Sequence, residues 1–388
     1  MAVVLVTAVA LLGVRAFAGD ASEAAAPAAA APAVAMQAAP GTPAPAVAAD
    51  EAALESLTEL DGESEVDDER PVAREPLPGR QTPTSAKLPD YARLPALGRA
   101  AELVAQAQQE PDGRLSVQTP EGKRYLTIDP TLQRRLTELL KLYKIPYGAV
   151  AAIEPSTGRV LALAEHSEER PGLRGLNLRA IYPAASLFKI VTGAALLDAG
   201  IGADEKVCYH GGKRRLQPKL LKDSKRDYRC MSLSDAMAHS ANVVFAKLAV
   251  RSLDAARLRA WAERFHFNAP LPFAQPVEPS PAVIPQEEFD FARTAAGFGE
   301  VLMSPLHAAW VSAAVGNRGV GRLPVLFEDE RAPARQVVDA PTAAQLADML
   351  EGSVTEGTAR RAFHERGRYV LGEVAAAGKT GSLADYQD

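Results

Sequence analysis

An antiparallel sheet flanked by helices, an α/β (α+β) sandwich, is the fold class this sequence predicts. Three observations carry the prediction. An amphipathic helix at Pro130–Lys144 runs directly into two β-rich segments, Gly148–Ile153 and Arg159–Leu163. Apolar helical segments then recur through the rest of the chain. Two short strands, Tyr369–Val374 and Ala376–Ser382, are expected near its end.

Each element has a local reason. Leu132, Leu136, Leu139, Leu140 and Tyr143 share one helical face, and Asp129 and Pro130 suit a helix start. Pro155-Ser156-Thr157-Gly158 supplies the turn between the two β-rich runs, so they read as a hairpin. Ser186–Ala199 is apolar and stops at Gly200. Ser234–Val250 is helical on both sides of a break near Ser240. The Pro-rich stretch 269–285 reads as loop, and Pro305–Val315 and Thr342–Gly352 as helices.

Composition sets the domain plan. Hydrophobic residues are 47% of the 388 and charged residues 23%, which fits a globular protein and not a multi-span membrane protein. Charge is uneven: residues 1–120 hold 8 Lys/Arg against 17 Asp/Glu, and residues 121–388 hold 35 against 31. The second part is too weakly basic for a dedicated nucleic-acid binder. Residues 21–50 are mostly Ala and Pro, and 51–69 carry nine acidic and no basic residues. Such segments bury too little apolar area to offset the entropy of ordering. Residues 19–120 are therefore expected to be a linker, with a short helix around Leu94–Gln108, and 121–388 the folded domain. Residues 2–14 are apolar and end at Arg15, with a small-x-small site at Ala16-Phe17-Ala18. Residues 1–18 thus read as a signal peptide or a partial membrane anchor, and the protein as periplasmic or otherwise extracytoplasmic.

Cys208 and Cys230 match no zinc or redox spacing. In an oxidising compartment they could close one disulfide loop, worth about 3 kcal/mol in the chain-entropy model. Two unrelated buried thiols are the alternative. The polar loop between them, which needs restraint, favours the disulfide.

Three short patterns occur in order: Ser186-Leu187-Phe188-Lys189, Ser240-Ala241-Asn242 and Lys379-Thr380-Gly381. Chance placement of all three is roughly a few in a thousand. Ser186 and Lys189 lie one helical turn apart. A serine hydroxyl needs a base, and a lysine can be that base only if burial and a nearby positive charge keep it neutral. Ser240 could relay a proton to a leaving amine, and Asn242 could hold Lys189 and a substrate carbonyl. Lys379 and Thr380 would present a charge and a hydroxyl to a carboxylate, and Gly381 would let a ligand approach closely. The amides of Ser186 and Ser382 could form an oxyanion hole. The bland alternatives are capping serines at 186 and 240, a solvated Lys189, and a Gly-containing turn at 381.

With these motifs the sequence resembles the penicillin-binding protein transpeptidase family. YLTIDPTLQ (125–133), AAIEPSTGRVLALA (151–164), YPAASLFKIVTGAALLDAG (182–200), SLSDAMAHSANVVFAKLA (232–249), GFGEVLMSPLHAAWVSAAVGNRG (297–319), EGTAR (356–360) and AAGKTGS (376–382) all read like segments of that family. The resemblance covers about 121–388 and implies the penicillin-binding transpeptidase/β-lactamase-like fold. It implies Ser186 as acylated nucleophile, Lys189 as general base, and Ser240 and Asn242 as proton-handling and positioning groups. Lys379 and Thr380, with Gly381 and Ser382, would bind the terminal carboxylate of a D-Ala-D-Ala stem peptide or of a β-lactam. No cofactor or metal is implied, and a glycan polymerase is a candidate partner. Neither a glycosyltransferase domain nor a large pedestal domain is expected in this chain. The family fold continues past Lys-Thr-Gly, so the domain reads as truncated after that strand.

A β-lactamase or D,D-carboxypeptidase on the same fold is the alternative reading. The loop acids Glu287 and Glu288 offer no assignable deacylation base, and the long gap from Ser240 to Lys379 suits a transpeptidase. A non-catalytic cell-wall scaffold or sensor is the alternative of another class. The segment Lys213–Arg229, with eight Lys/Arg against two Asp, could contact an anionic partner, although a solvated loop is the blander account.

Overall fold

The computed structural model describes residues 6–10, 98–213 and 215–382. The leader and linker expectations for 1–5 and 11–97 lie outside the described residues. The backbone of Val6–Ala10, within the segment expected as a leader or anchor, is a strand parallel to Gly148–Ile153. Its alternating β-branched and small residues suit a strand. Among the described residues no helix is long and apolar enough to cross a membrane.

Folding also begins earlier than residue 121. A helix spans Arg99–Gln106 and a hairpin joins Leu115–Thr119 to Gly122–Leu126. Leu115 and Val117 are buried in the main core, which gives this segment the apolar anchorage that composition alone did not reveal. Arg114 and Arg124 then bind Glu328 and Asp329 far along the chain.

The central sheet places Gly148–Ile153 between Val6–Ala10 and the antiparallel strand Val160–His166. Every residue of Gly148–Ile153 is buried, as expected of a strand covered on both faces. Val150 packs with Leu136 and Leu140 of helix Pro130–Leu142, while Ala151 and Ile153 join the main core. Asp129 caps that helix by accepting from the amides of Thr131 and Leu132. Tyr143, expected on its apolar face, follows the helix and is exposed.

The main core is helical. Helix Lys189–Asp198 sits within it, buried from Lys189 to Leu196. Leu233–Ala238, Asn242–Ser252, Ala255–Arg264, Pro305–Gly316 and Ala340–Thr355 also contribute to this core. The break expected near Ser240 is present, with Ser240 in the left-handed region at φ 57°.

The expected strands at the end of the domain differ. Only Arg368–Tyr369 pairs, with His364–Glu365. Lys379-Thr380-Gly381 lies in an extended strap without a ladder partner among the described residues. The Gly378 amide instead donates to the Leu350 carbonyl, 3.1 Å away, at the helix Ala340–Thr355.

His307 illustrates the core's electrostatic demand. It is fully buried, its Nε2 lies 2.6 Å from the Phe265 carbonyl, and burial pulls its pKa down to about 4. The folded state therefore binds fewer protons there than the unfolded state. Stability should be intact above about pH 6.5 and be lost as pH falls toward about 4, by up to about 3 kcal/mol. His307→Gln keeps a donor but cannot charge; urea midpoints across this window should decline less steeply for it.

Candidate active site

Ser186 lies on a 3₁₀ turn, Ala185–Phe188, that feeds directly into the helix Lys189–Asp198. Ala185 has a left-handed φ of 46°, unusual for a residue with a side chain. Ser186 does not cap the helix, because the cap position is Phe188 and makes no side-chain bond. Ser240 does not cap its helix either: Ala241 holds that position, without a side-chain cap. Both bland alternatives for the serines are thereby excluded.

The hydroxyls and amines converge. Lys189 Nζ lies 2.9 Å from Ser186 Oγ, 2.7 Å from Asn242 Oδ1 and 2.5 Å from the Ala296 carbonyl. Ser240 Oγ lies 2.9 Å from Ser186 Oγ on the other side. Lys379 Nζ donates to Ser240 Oγ at 2.9 Å and to the Thr380 carbonyl at 2.9 Å. Thr380 Oγ1 is 2.6 Å from Thr358 Oγ1. Three segments separated by more than fifty residues thus form one chain of polar atoms. Ser382 is exposed and makes none of these hydrogen bonds.

Electrostatics separate the two lysines. Lys189 has no exposed surface. Burial first, and the charge of Lys379 second, hold its pKa well below the ordinary lysine value. The Ala296 carbonyl, which follows the helix Glu288–Ala295, works the other way, since helix C-termini attract cations. Desolvation dominates because, among the described residues, no carboxylate joins the cluster to offset it. Lys379 is also pulled down by burial, to about 7. The arrangement therefore favours a neutral amine at Lys189 beside Ser186, with the shared positive charge at Lys379.

Two glycines admit this closeness. Gly381 packs on the turn bearing Ser186, where an added Cβ would sit 2.6 Å from Leu187 Cδ1. Gly297, at φ 93°, lies behind the same turn; a Cβ there would collide with the Ala185 carbonyl and come within 3.0 Å of the Ser186 amide nitrogen. Gly297, Thr358 and the Ala296 carbonyl were not singled out as site groups from sequence. A backbone carbonyl leaves no residue-type signal, and Thr358 and Gly297 lie outside the three short motifs, although within the family-like segments 356–360 and 297–319 that could have pointed to them.

Cys208 and Cys230 are joined by a disulfide across the paired strands Lys206–Tyr209 and Arg229–Ser232. In the intervening basic loop, both acids are engaged. Asp227 binds Lys247 and His210, and Asp223 binds Arg251 and Lys247. The Glu287 carboxylate accepts from the Asp290 amide and caps the helix Glu288–Ala295.

A buried serine–lysine pair, a second serine and a cationic strap on a helix-flanked sheet define the serine acyl-transfer class of site. The penicillin binding protein transpeptidase domain model matches residues 148–386, and the chain belongs to that family. It is similar to the peptidoglycan D,D-transpeptidase PbpA of Mycobacterium tuberculosis, 26% identical over 273 residues, covering 58% of this chain and 55% of the relative. PbpA of Mycolicibacterium smegmatis is 26% identical over 229 residues, covering 51% and 46%. The chain thus spans about half the length of the curated relatives it matches. Among solved structures, penicillin-binding protein A of M. tuberculosis as a ceftriaxone acyl-enzyme superposes with a TM-score of 0.54 at 25% identity, covering 66% of this chain and 65% of that one. The D,D-transpeptidase domain of a peptidoglycan glycosyltransferase from Eggerthella lenta gives 0.56 at 23% identity, covering 72% and 84%, and supports the fold.

Proposed function

We propose that this protein is a serine D,D-transpeptidase that cross-links peptidoglycan stem peptides outside the cytoplasm and is acylated by β-lactams. The observation that carries the reading is Ser186 Oγ held between the buried Lys189 amine and the Ser240 hydroxyl. Neutral Lys189 takes the Ser186 proton as Oγ attacks the penultimate D-Ala carbonyl. The oxyanion is received by backbone amides, with those of Ser186 and Ser382 as candidates. Lys379 and Thr380 face the terminal carboxylate. Ser240 passes a proton to the departing D-Ala amine as the C–N bond breaks, leaving a Ser186 ester, and takes a replacement from Lys379, its donor at 2.9 Å. An amine of a second stem peptide then attacks that ester and gives its proton back through Ser240 to Lys379, while Lys189 returns its proton to Ser186 Oγ and restores the hydroxyl. No metal or cofactor enters these steps. The disulfide agrees with an oxidising compartment. A glycan polymerase remains a candidate partner through the chemistry of the shared substrate.

Intact-mass measurement after incubation with penicillin tests the reading. One adduct of the drug's mass, decaying slowly, is expected. No adduct would favour the scaffold alternative. Rapid hydrolysis of a chromogenic cephalosporin would favour the β-lactamase alternative, for which Glu287, already committed as a helix cap, offers no evident base.

Lys379 also sets a pH limit. Binding a carboxylate needs its proton, and its pKa is about 7. The second-order acylation rate should fall as pH rises through that value, since this rate reports the free enzyme. Lys379→Arg keeps its charge to far higher pH, so the alkaline decline should move beyond about pH 9. A pH–rate profile with fluorescent penicillin checks both.

A further inference from the structure

The helix Asn242–Ser252 begins with the residue that touches Lys189, yet no side chain caps it. Its first amides are satisfied from elsewhere. The Asn242 amide donates to the Lys213 carbonyl at 3.1 Å and the Val243 amide to the Gly212 carbonyl at 3.1 Å. Those carbonyls belong to the loop between the disulfide-paired strands. Gly212 has a φ of 75°, and an added Cβ would lie 3.0 Å from Val243 Cβ, so the close approach requires glycine.

The same loop is fastened further along the same helix. Lys247, 1% exposed, lies 2.8 Å from Asp227 Oδ2 and donates to the Cys208 carbonyl at 2.9 Å. His210 contacts the other Asp227 oxygen, and the Ser224 amide donates to Oδ2. One turn beyond Lys247, Arg251 grips Asp223. Both carboxylates of a strongly basic loop are thus spent on the helix that presents Asn242. The Asp227 carboxyl is held down to about 2, with Lys247 and His210 outweighing its burial, so that carboxyl stays ionised at neutral pH.

We infer, resting on the acyl-transfer reading above, that this disulfide-closed loop is a positioning device for Asn242, with Asp227 and Lys247 as positioning residues. They touch no reacting atom. They hold the loop carbonyls against the first turn of the helix, which fixes the Asn242 amide against Lys189. A lone cap loss would only weaken the helix locally. Here the same loss would loosen the contact that orients the base.

The test is a double-mutant cycle on the full chain, read as the acylation rate by fluorescent penicillin per titratable active site. Asp227→Asn should lower that rate by about tenfold in the wild-type background and less than about twofold in an Asn242→Ala background. Opening the disulfide of the wild type with a phosphine reductant should give the same background-dependent loss, which keeps the test usable if Asp227→Asn folds poorly. A tenfold loss in both backgrounds, or an unchanged rate per site in the wild-type background, would overturn the inference. Failure of the wild type itself to label would instead overturn the acyl-transfer reading.

Discussion

Ser186→Ala protein should take up no penicillin, with the labelling rate down by about 10⁴-fold or more while the fold is retained. The substitution removes the oxygen proposed to form the ester. Ser240 cannot replace it, because its hydroxyl is 2.9 Å from both Ser186 Oγ and Lys379 Nζ, and the buried base reaches Ser186. Ser186 is half-buried on a turn, so losing its hydroxyl creates no large cavity. Lys189 keeps Asn242 and Ala296 as partners, and the Ser240 hydroxyl, which loses its acceptor, is only partly buried. Fluorescent-penicillin labelling, paired with a thermal melt, checks the prediction. A variant that labels at a measurable rate would show that another nucleophile carries the chemistry.

Lys189→Met should lower the acylation rate by about a thousandfold, the size expected for loss of a general base. Methionine fills the stem of the lysine but cannot accept the serine proton. Lys189→Arg should be equally slow for a different reason: a guanidinium keeps its proton, so it is no base at working pH. The comparison separates basicity from charge. In the wild type the rate should rise with pH until Lys189 is neutral, and neither variant should retain that rising limb. Stability carries a matching signature. The folded pKa of Lys189 is depressed, so the unfolded state binds the extra proton. Stability at this site is fullest above the unfolded value of 10.5 and declines as pH falls toward the lowered folded value. The Met variant should show a shallower slope in urea midpoints taken across alkaline pH, with only the contribution of Lys379 left.

The elements that strong local signals mark were legible from sequence. Asp129-Pro130 starts its helix, and Pro155–Gly158 turns the hairpin where expected. Gly200 follows the end of the helix Lys189–Asp198, as expected of its stop signal. The three candidate motifs were legible as residue types. The misjudged stretches share a cause. Residues 99–119 carry little apolar weight of their own, and their burial comes from the main core. Lys379-Thr380-Gly381 was expected on a strand, but the chain just before it donates from Gly378 to the Leu350 carbonyl within a helix instead of joining a ladder.

Sequence by itself determined which groups could do chemistry here: one serine a turn from a lysine, a second serine with an asparagine, and a cationic tripeptide. Whether Lys189 could be a base was decided only by tertiary structure. A lysine's charge depends on what surrounds it, and no local pattern says that Asn242, Ala296 and Phe245 will enclose it while Lys379 approaches. The loop that holds Asn242 was likewise settled by folding, because its grip is made by backbone carbonyls and by ion pairs formed across some twenty residues. Residue identity specifies donors and acceptors; distance and desolvation, which only the folded chain sets, give them their protonation states.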